Sequence, residues 1–478
     1  MVDAGVFHWV LSGIVTGSYI ALGAIGLSLV YNISKVPNFA HGELLTLGAY
    51  FALWVNLPWT LPLLERVSSG PDDIGYIVLG ALFVITAAST LGTIYMLGGH
   101  SALAGRYLPG DFAPMVGYAF HGLLAVVLGA VVVASTPSLL SGMVFAALVM
   151  GAVTPLLDKY LFDRFRSAGA SLATMLIVTL GVAFFLRYSA SAYYTGQVRR
   201  YAYAGEFTLF GIDIDYSTSK AFDFFLTDGG ITLRVVDRAP DPPVAIGVFE
   251  FSWLVLAVIV IGTVGAAYGA YRWRGAGIGE YESAQTIGPR LVGGVAGVVA
   301  LLAIAAILGS SGSTPENAIA STQVRTTYLR LGVIVLAGAA MLGLHVLLRE
   351  TKLGTAMRAS ADNLDLAEVT GIDTSRVMMT TWVIAGVFAA VAGVVIGALF
   401  HSVRPLMGFF QLLPMFAAVI LGGLRSIYGA ILGSYVVGIA MEAGVLSLSL
   451  DSRHRVTMAF IVLFIVLLAK PEGIIGGR

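Results

Sequence analysis

Two glutamates, Glu43 and Glu442, stand in stretches of this 478-residue chain that otherwise carry almost no charge. Glu43 closes the run Asn38-Phe39-Ala40-His41-Gly42-Glu43, which brings a carboxamide, an imidazole and a carboxylate together between two apolar segments. Such a group offers two kinds of chemistry. It could gate or bind a polar solute inside a membrane, where an ionisable side chain at a helix centre costs ~2.5–3.5 kcal/mol on insertion scales and so faces a cavity or a partner. It could equally act locally, with Asn38 capping the next helix and Glu43 complementing its dipole from the first turn. Glu442 lies late in its own apolar run and needs a partner or water.

Other chemistries lack their residues. Every lysine follows Ser, Asp, Thr or Ala, so there is no Gly-Lys-Ser/Thr phosphate loop and no P-loop ATPase site. The histidines at 8, 41, 100, 121, 345, 401 and 454 include no pair at zincin spacing, and no G-x-S-x-G nucleophile elbow occurs. Cysteine is absent, which removes disulfides, Cys-ligated zinc and iron–sulfur clusters. No bound cofactor and no catalytic or metal-ligating residue is expected in this chain.

The elements that must position these residues are membrane helices. The chain is 58% hydrophobic and 11% charged, with a mean hydropathy of +0.88, against ~25% charged residues in a soluble globular chain. This excludes a soluble enzyme, a disordered chain and a nucleic-acid binder, and the formal net charge of +0 leaves no overall field to attract a partner. A bilayer core ~30 Å thick takes ~20 apolar residues as helix. Qualifying segments run roughly over 8–33, 40–63, 76–97, 115–134, 139–157, 170–195, 250–271, 291–309, 327–348, 374–400, 408–424, 427–448 and 455–470, about thirteen in all. The expected fold is all-α, a polytopic helical membrane protein of about 12–13 transmembrane or re-entrant helices with a small external loop subdomain. The runs are too long and continuous for barrel strands. The segments 40–63, with Pro58 and Pro62, and 408–424, with Pro414, read as broken or re-entrant. The first span is too long for a signal peptide and is expected to stay in place.

Glycines are placed for close helix packing: Gly17 and Gly23 in the first span, and Gly422, Gly423, Gly429 and Gly433 around the last turns. With the N-terminus outside, the Lys and Arg of short loops collect on one side, which includes Lys35, Arg164, Arg166, Arg349, Lys352, Arg358 and Arg425. That side is then cytoplasmic, together with the 349–373 loop and the C-terminus, in a plasma membrane. The polar stretch 196–249, with alternating runs over Phe207–Ile214 and Gly230–Val236, reads as an external subdomain holding a hairpin or two. Between two spans, Leu353–Ser375 holds Arg358, Ala359, Ala361, Leu364, Leu366 and Ala367 at the spacing of a short amphipathic helix over 359–371. Gly371 could end that helix. Its small apolar side, without an aromatic anchor, favours docking on a protein over lying on the membrane.

Taken in order, NFAHGE at 38–43, DKYLFDRFR at 158–166, LIVTLGVAFFLRY at 176–188, KLGTAMRASADNLDLAEVTGIDTSRV at 352–377, AAVILGGLRSIYGAILG at 417–433 and KPEGIIG at 470–476 resemble the permease subunits of branched-chain amino acid ABC importers, the LivH type. The resemblance implies a permease transmembrane domain over 1–478 that forms half of a translocation pathway with a second, homologous permease. It implies a coupling segment over 352–373 that sits in a cleft of one of two separate ATPase subunits, which would use the ATP and magnesium. An external solute-binding protein would deliver the amino acid. Asn38, His41, Glu43 and Glu442 are candidates for the pathway or its gate, beside the local structural roles given above. The chain exceeds the family's length by an inserted helix pair around 70–138 and by further helices around 250–325. Two other readings remain at this point: a urea or short-amide permease of the same family, and a self-sufficient secondary transporter or channel with ion-coupling acids in its spans.

Overall fold

The computed structural model describes residues 4–62, 64, 75–97, 113–202, 206–209, 212–215, 220–237, 242, 244–276, 289–308, 310–312, 320–447, 450–451, 454–470 and 473–475. They form two compact units, one of Gly13–Tyr216 with Ala359–Arg478, the other of Met1–Ser12 with Ser217–Arg358. Each of the thirteen expected segments carries a helix. Among the described residues nine helices are long and apolar enough to cross a membrane, so the chain is a multi-pass membrane protein. Three of the four that fall short of thirteen have a physical reason. The helices in the two proline-bearing segments are only 16 residues long, and that at 455–469 is 15, short of a full crossing at ~1.5 Å per residue.

In the larger unit, α1 (Ala4–Ser34), α2 (His41–Asn56), α5 (Leu139–Ser167) and α12 (Thr374–Leu399) supply most of the buried core, while α13 (Met407–Gly422), α14 (Ile427–Ser447) and α15 (Arg455–Ala469) pack beside it. Glycine sets how close these helices come. A Cβ on Gly48 of α2 would lie 2.5 Å from the Ala390 Cα of α12, and one on Gly393 of α12 would run into the carbonyl of Leu45. Gly422 and Gly429 oppose each other across the α13–α14 turn in the same way, as do Gly17 and Gly438 across α1 and α14. Backbones in contact maximise dispersion where lipid offers no hydrophobic drive between helices. The helix pair α3 (Tyr76–Met96) and α4 (Ala113–Ala134) packs against the outer part of this core, where Val78, Leu82 and Val132 close on Val55, Phe145 and Val149. α6 (Leu172–Tyr194) buries one stripe and exposes Ile177, Phe185 and Tyr188 on its other face. Pro155 lies inside α5, and a π-helical turn over Asp158–Phe162 follows it. A two-stranded hairpin, β1 (Glu206–Leu209) with β2 (Ile212–Asp215), also belongs here.

The smaller unit departs from an all-helical reading in one respect. It holds an antiparallel sheet in the order β6-β5-β4-β3-β7, built from β3 (Lys220–Thr227), β4 (Gly230–Asp237), β5 (Val244–Ser252), β6 (Ser310–Ser311) and β7 (Ala320–Thr327). β3 and β4 turn over Asp228-Gly229, the dipeptide favoured for two-residue hairpins. Asp223 and Arg234 face each other across that hairpin, with Nη2 to Oδ2 2.7 Å. β5 runs directly into α7 (Trp253–Ala276), which pairs with α8 (Pro289–Leu308), and β7 runs directly into α9 (Tyr328–Glu350). Strands from beyond residue 300 thus complete a sheet that the sequence places around 196–249.

Substitution separates packing glycines from incidental ones. Gly393→Ala should cost about 1–3 kcal/mol by forcing α2 and α12 apart and should lower the unfolding temperature in detergent. Gly338→Ala in α9, with open space around it, should not. Equal unfolding temperatures for the two variants would contradict the packing.

Candidate functional site

The chain enters α2 through a turn held by Asn38. Its Oδ1 accepts from the Ala40 N–H at 3.0 Å, and its own carbonyl accepts from the His41 N–H at 3.2 Å. The N-cap position of α2 is Ala40, which gives no side-chain cap. Asn38 therefore shapes the approach rather than capping the helix. His41 is wholly buried, and its Nε2 donates to the Gly23 carbonyl of α1 at 2.9 Å. A carbonyl can only accept, which places the imidazole proton on Nε2. Gly26 leaves room for this ring, since a Cβ there would lie 2.7 Å from His41 Cε1. Gly23 lies eleven residues before Ser34, the end of α1, so the chain folds back ~16 Å along α1 before α2 begins.

Glu43, in the first turn of α2, is 2% exposed and meets Arg187 of α6, itself 8% exposed. Arg187 Nε donates to Glu43 Oε1 at 2.9 Å, and Nη2 donates to the same oxygen. The guanidinium carbon lies 4.3 Å from the centroid of the Phe409 ring, a cation–π contact in a desolvated place. Glu43 Oε2 has no hydrogen-bond partner among the described residues. The contact continues along the same helix faces. Tyr50 stacks on Tyr194 with centroids 3.9 Å apart, and Trp54 Nε1 donates to the Tyr194 hydroxyl at 2.6 Å. Glu43, Tyr50 and Trp54 on α2 follow i, i+7, i+11, and Arg187 and Tyr194 on α6 follow i, i+7, so one stripe of each helix faces the other. At its far end α2 is clamped by Asn56, whose amide donates to the Ala202 carbonyl at 3.0 Å and accepts from the Ala202 N–H at 2.6 Å.

Glu442 also has partners. Oε1 accepts from the Thr16 hydroxyl of α1 at 3.0 Å, and Oε2 lies 3.2 Å from Arg455 Nη2 at the start of α15. The structure keeps Glu442 apart from the Asn38–Glu43 group, and no described contact joins them. The partners Arg187 and Arg455 are what sequence reasoning missed. Their signal was present, because a lone arginine within or beside an apolar run needs a counter-charge as much as a lone glutamate does.

The 352–373 segment folds as two helices where one was expected over 359–371. α10 (Lys352–Asp362) begins earlier, and Asn363 breaks the run at φ −152°. Its Oδ1 caps α11 (Leu364–Val369) by accepting from the Leu366 N–H at 3.0 Å. Gly371, at φ +86°, ends α11: its N–H donates to the Glu368 carbonyl, and the Ile372 N–H donates to the Ala367 carbonyl at 3.0 Å. Asp373 then caps α12 through the Arg376 N–H at 2.9 Å. Ala367 is buried beneath α11, while Leu364, Leu366 and Val369 are exposed, Val369 by 85%. Arg358 and Gly371 are exposed, and Ala359 and Ala361 are half-buried.

Around the turn from α13 to α14, Gly423 takes φ +105° and ends α13. The chain after α15 returns to this turn, where the Ile474 and Ile475 N–H groups donate to the Leu421 and Gly422 carbonyls at 2.8 and 3.2 Å. The motif at 470–476 thereby satisfies orphan carbonyls at the end of α13, although Pro471, Glu472 and Gly476 lie outside the described residues. Among the described residues no cluster of three or more His, Cys, Asp or Glu could hold a metal ion.

Removing one partner of the buried pair has a defined cost. Arg187→Met should destabilise the purified protein by about 3–5 kcal/mol, because it leaves a buried carboxylate alone, and the apolar double variant Glu43→Leu/Arg187→Leu should recover most of that loss. Thermal unfolding in detergent checks this, and wild-type stability of Arg187→Met would contradict it.

The chain is similar in sequence to known transport permeases. Residues 244–469 match the family described as branched-chain amino acid transport system / permease component. The permease protein LivH of Salmonella typhimurium, of a high-affinity branched-chain amino acid transport system, is 36% identical over 170 residues, covering 36% of this chain and 52% of that protein. LivH of Escherichia coli K12 is 37% identical over 150 residues, 31% of this chain and 48% of that protein. The ribose import permease protein RbsC of Bacillus subtilis is 31% identical over 131 residues, 26% of this chain and 40% of that protein. The matches thus span about half the length of the first two relatives, and no solved structure matches. The match over 244–469, just under half of the chain, and the LivH-like homologues at about 36% identity over partial length make the chain similar to the branched-chain amino acid transport permease family.

Proposed function

We propose that the chain is the transmembrane permease subunit of an ABC importer for branched-chain amino acids of the leucine, isoleucine and valine kind. It forms half of the pathway with a second homologous permease and takes its work from two separate ATPase subunits. An external solute-binding protein delivers the substrate. The N-terminus faces outside, and the α10–α11 segment and the C-terminus face the cytoplasm. The observation that carries this reading is α11. A six-residue helix capped at both ends presents Leu364, Leu366 and Val369 outward, on a chain whose sequence holds no phosphate loop. A rigid apolar crest of that kind suits a cleft in a partner protein better than water.

The ion pairs bear on the secondary-transporter alternative. Glu43 and Glu442 are each committed to an arginine, which leaves neither poised as an ion-coupling acid. Within the family, the likeness to a ribose import permease favours a small hydrophilic substrate as the second reading, urea or a short amide being a further member of that class.

Co-purification tests the assembly. An affinity-tagged wild-type chain should bring down an ABC ATPase, and Leu364→Asp should reduce that recovery by at least about tenfold, equivalent to ~1.4 kcal/mol, with the permease still in the membrane. Recovery equal to wild type would contradict the role given to α11. Uptake of labelled leucine, ribose and urea by cells carrying or lacking the gene then separates the substrates.

A further inference from the structure

The α10–α11 segment touches the rest of its unit at a second point. Lys35, the first residue after α1, takes a left-handed backbone at φ +55°, and its N–H donates to the Tyr31 carbonyl at 2.9 Å. This conformation costs a non-glycine residue about 1–2 kcal/mol. It turns the chain from α1 back into the bundle, toward Asn38 and His41 three and six residues later. The side chain of the same residue reaches α10, where Nζ donates to the Ala361 carbonyl at 2.7 Å. Ala361 is in the last turn of α10, where carbonyls lack helical partners and favour a cation. Asp362 lies close enough to attract the ammonium, and Arg425 of the α13–α14 turn close enough to repel it. Lys35 is exposed, and its partial desolvation and Arg425 both push its pKa below the ordinary value, with Asp362 opposing them. One side chain therefore bridges the end of α10 and the turn that leads into the buried Asn38–His41–Glu43 group.

We infer that Lys35 is the positioning residue that passes motion of the α10–α11 segment to the α1–α2 turn, so that docking at Leu364–Val369 is felt at His41 and Glu43. This rests on the importer reading above. The bridge has the right connectivity. Ala361 lies two residues before Asn363, which starts α11, and His41 is hydrogen-bonded to the middle of α1. A displacement of α10 that kept the Lys35 bond would pull on Val36–Ala40, whose geometry is fixed by Asn38.

The experiment uses the chain reconstituted in liposomes with its ATPase subunits and binding protein, with labelled leucine as probe. Lys35→Met removes the donor, and Lys35→Arg keeps a cationic one. Lys35→Met should retain the ATPase and hydrolyse ATP within about twofold of wild type while leucine uptake falls at least about tenfold, and Lys35→Arg should restore most of the uptake. Wild-type uptake by Lys35→Met overturns the inference. So does loss of the ATPase together with uptake, which would make Lys35 a docking or folding residue. A second readout is independent of substrate. The chain contains no cysteine, so spin labels on Ser34→Cys and Asp365→Cys report the span of the bridge directly. The distance distribution should be narrow with Lys35 and broader with Lys35→Met, and equal widths overturn the inference. If the wild-type complex takes up no leucine but the distances behave as stated, the functional reading fails and the bridge stands.

Discussion

A carboxylate removed from water must meet a cation, and Glu43 meets Arg187. Much of the larger unit depends on this. α6 shows most of its surface outward, with Ile177, Phe185 and Tyr188 exposed, so apolar burial alone holds it weakly. What fixes its rotation is the stripe that meets α2, with the ion pair at one end and the Tyr50–Tyr194–Trp54 contact at the other. α2 is fixed in turn by the His41–Gly23 hydrogen bond and by the near-contact of its backbone with α12 and α13 at Gly48, Gly393 and Gly408. Ion pairing and glycine packing solve the same problem. Each replaces what water would have supplied, the first for charge and the second for dispersion.

Glu442 obeys the same rule at a different place, tying α1 to α14 and α15 through Thr16 and Arg455. On the importer reading proposed above, energy enters away from the spans, where both acids are already paired. The elements best suited to receive it lie together in the larger unit: α11 with its exposed crest, the Lys35 bridge to the turn before α2, and the α13–α14 turn stitched to the chain end by Ile474 and Ile475. Motifs scattered over the sequence thus converge as contacts between loops.

The apolar runs were long enough to place the thirteen apolar helices, because a bilayer solvent leaves few alternatives to a helix of ~20 residues. Length did not reveal that α2 stops at Asn56, since apolar residues continue past its end at Leu57 and Leu61. The acids were legible as exceptions in an apolar background. Arg187 and Arg455 stood out as lone charges too, but which acid each one meets is a fact of helix arrangement that no local pattern encodes. The break at Asn363 was written in the sequence as a capping residue inside an amphipathic run, yet the periodicity of Ala359–Val369 outweighed it. The sheet was partly visible in the alternation at Gly230–Val236, but its edge strands come from 310–327, and non-local pairing leaves no nearby mark.

On the proposed reading, the chain moves a branched-chain amino acid with work supplied by separate ATPases. The most direct measurement is uptake of labelled leucine into proteoliposomes that hold the chain with its ATPase and permease partners, with the binding protein outside and either ATP or an ion gradient as the energy source. Uptake should require hydrolysable ATP inside and survive collapse of proton and sodium gradients. Uptake driven by an ion gradient without ATP would contradict it.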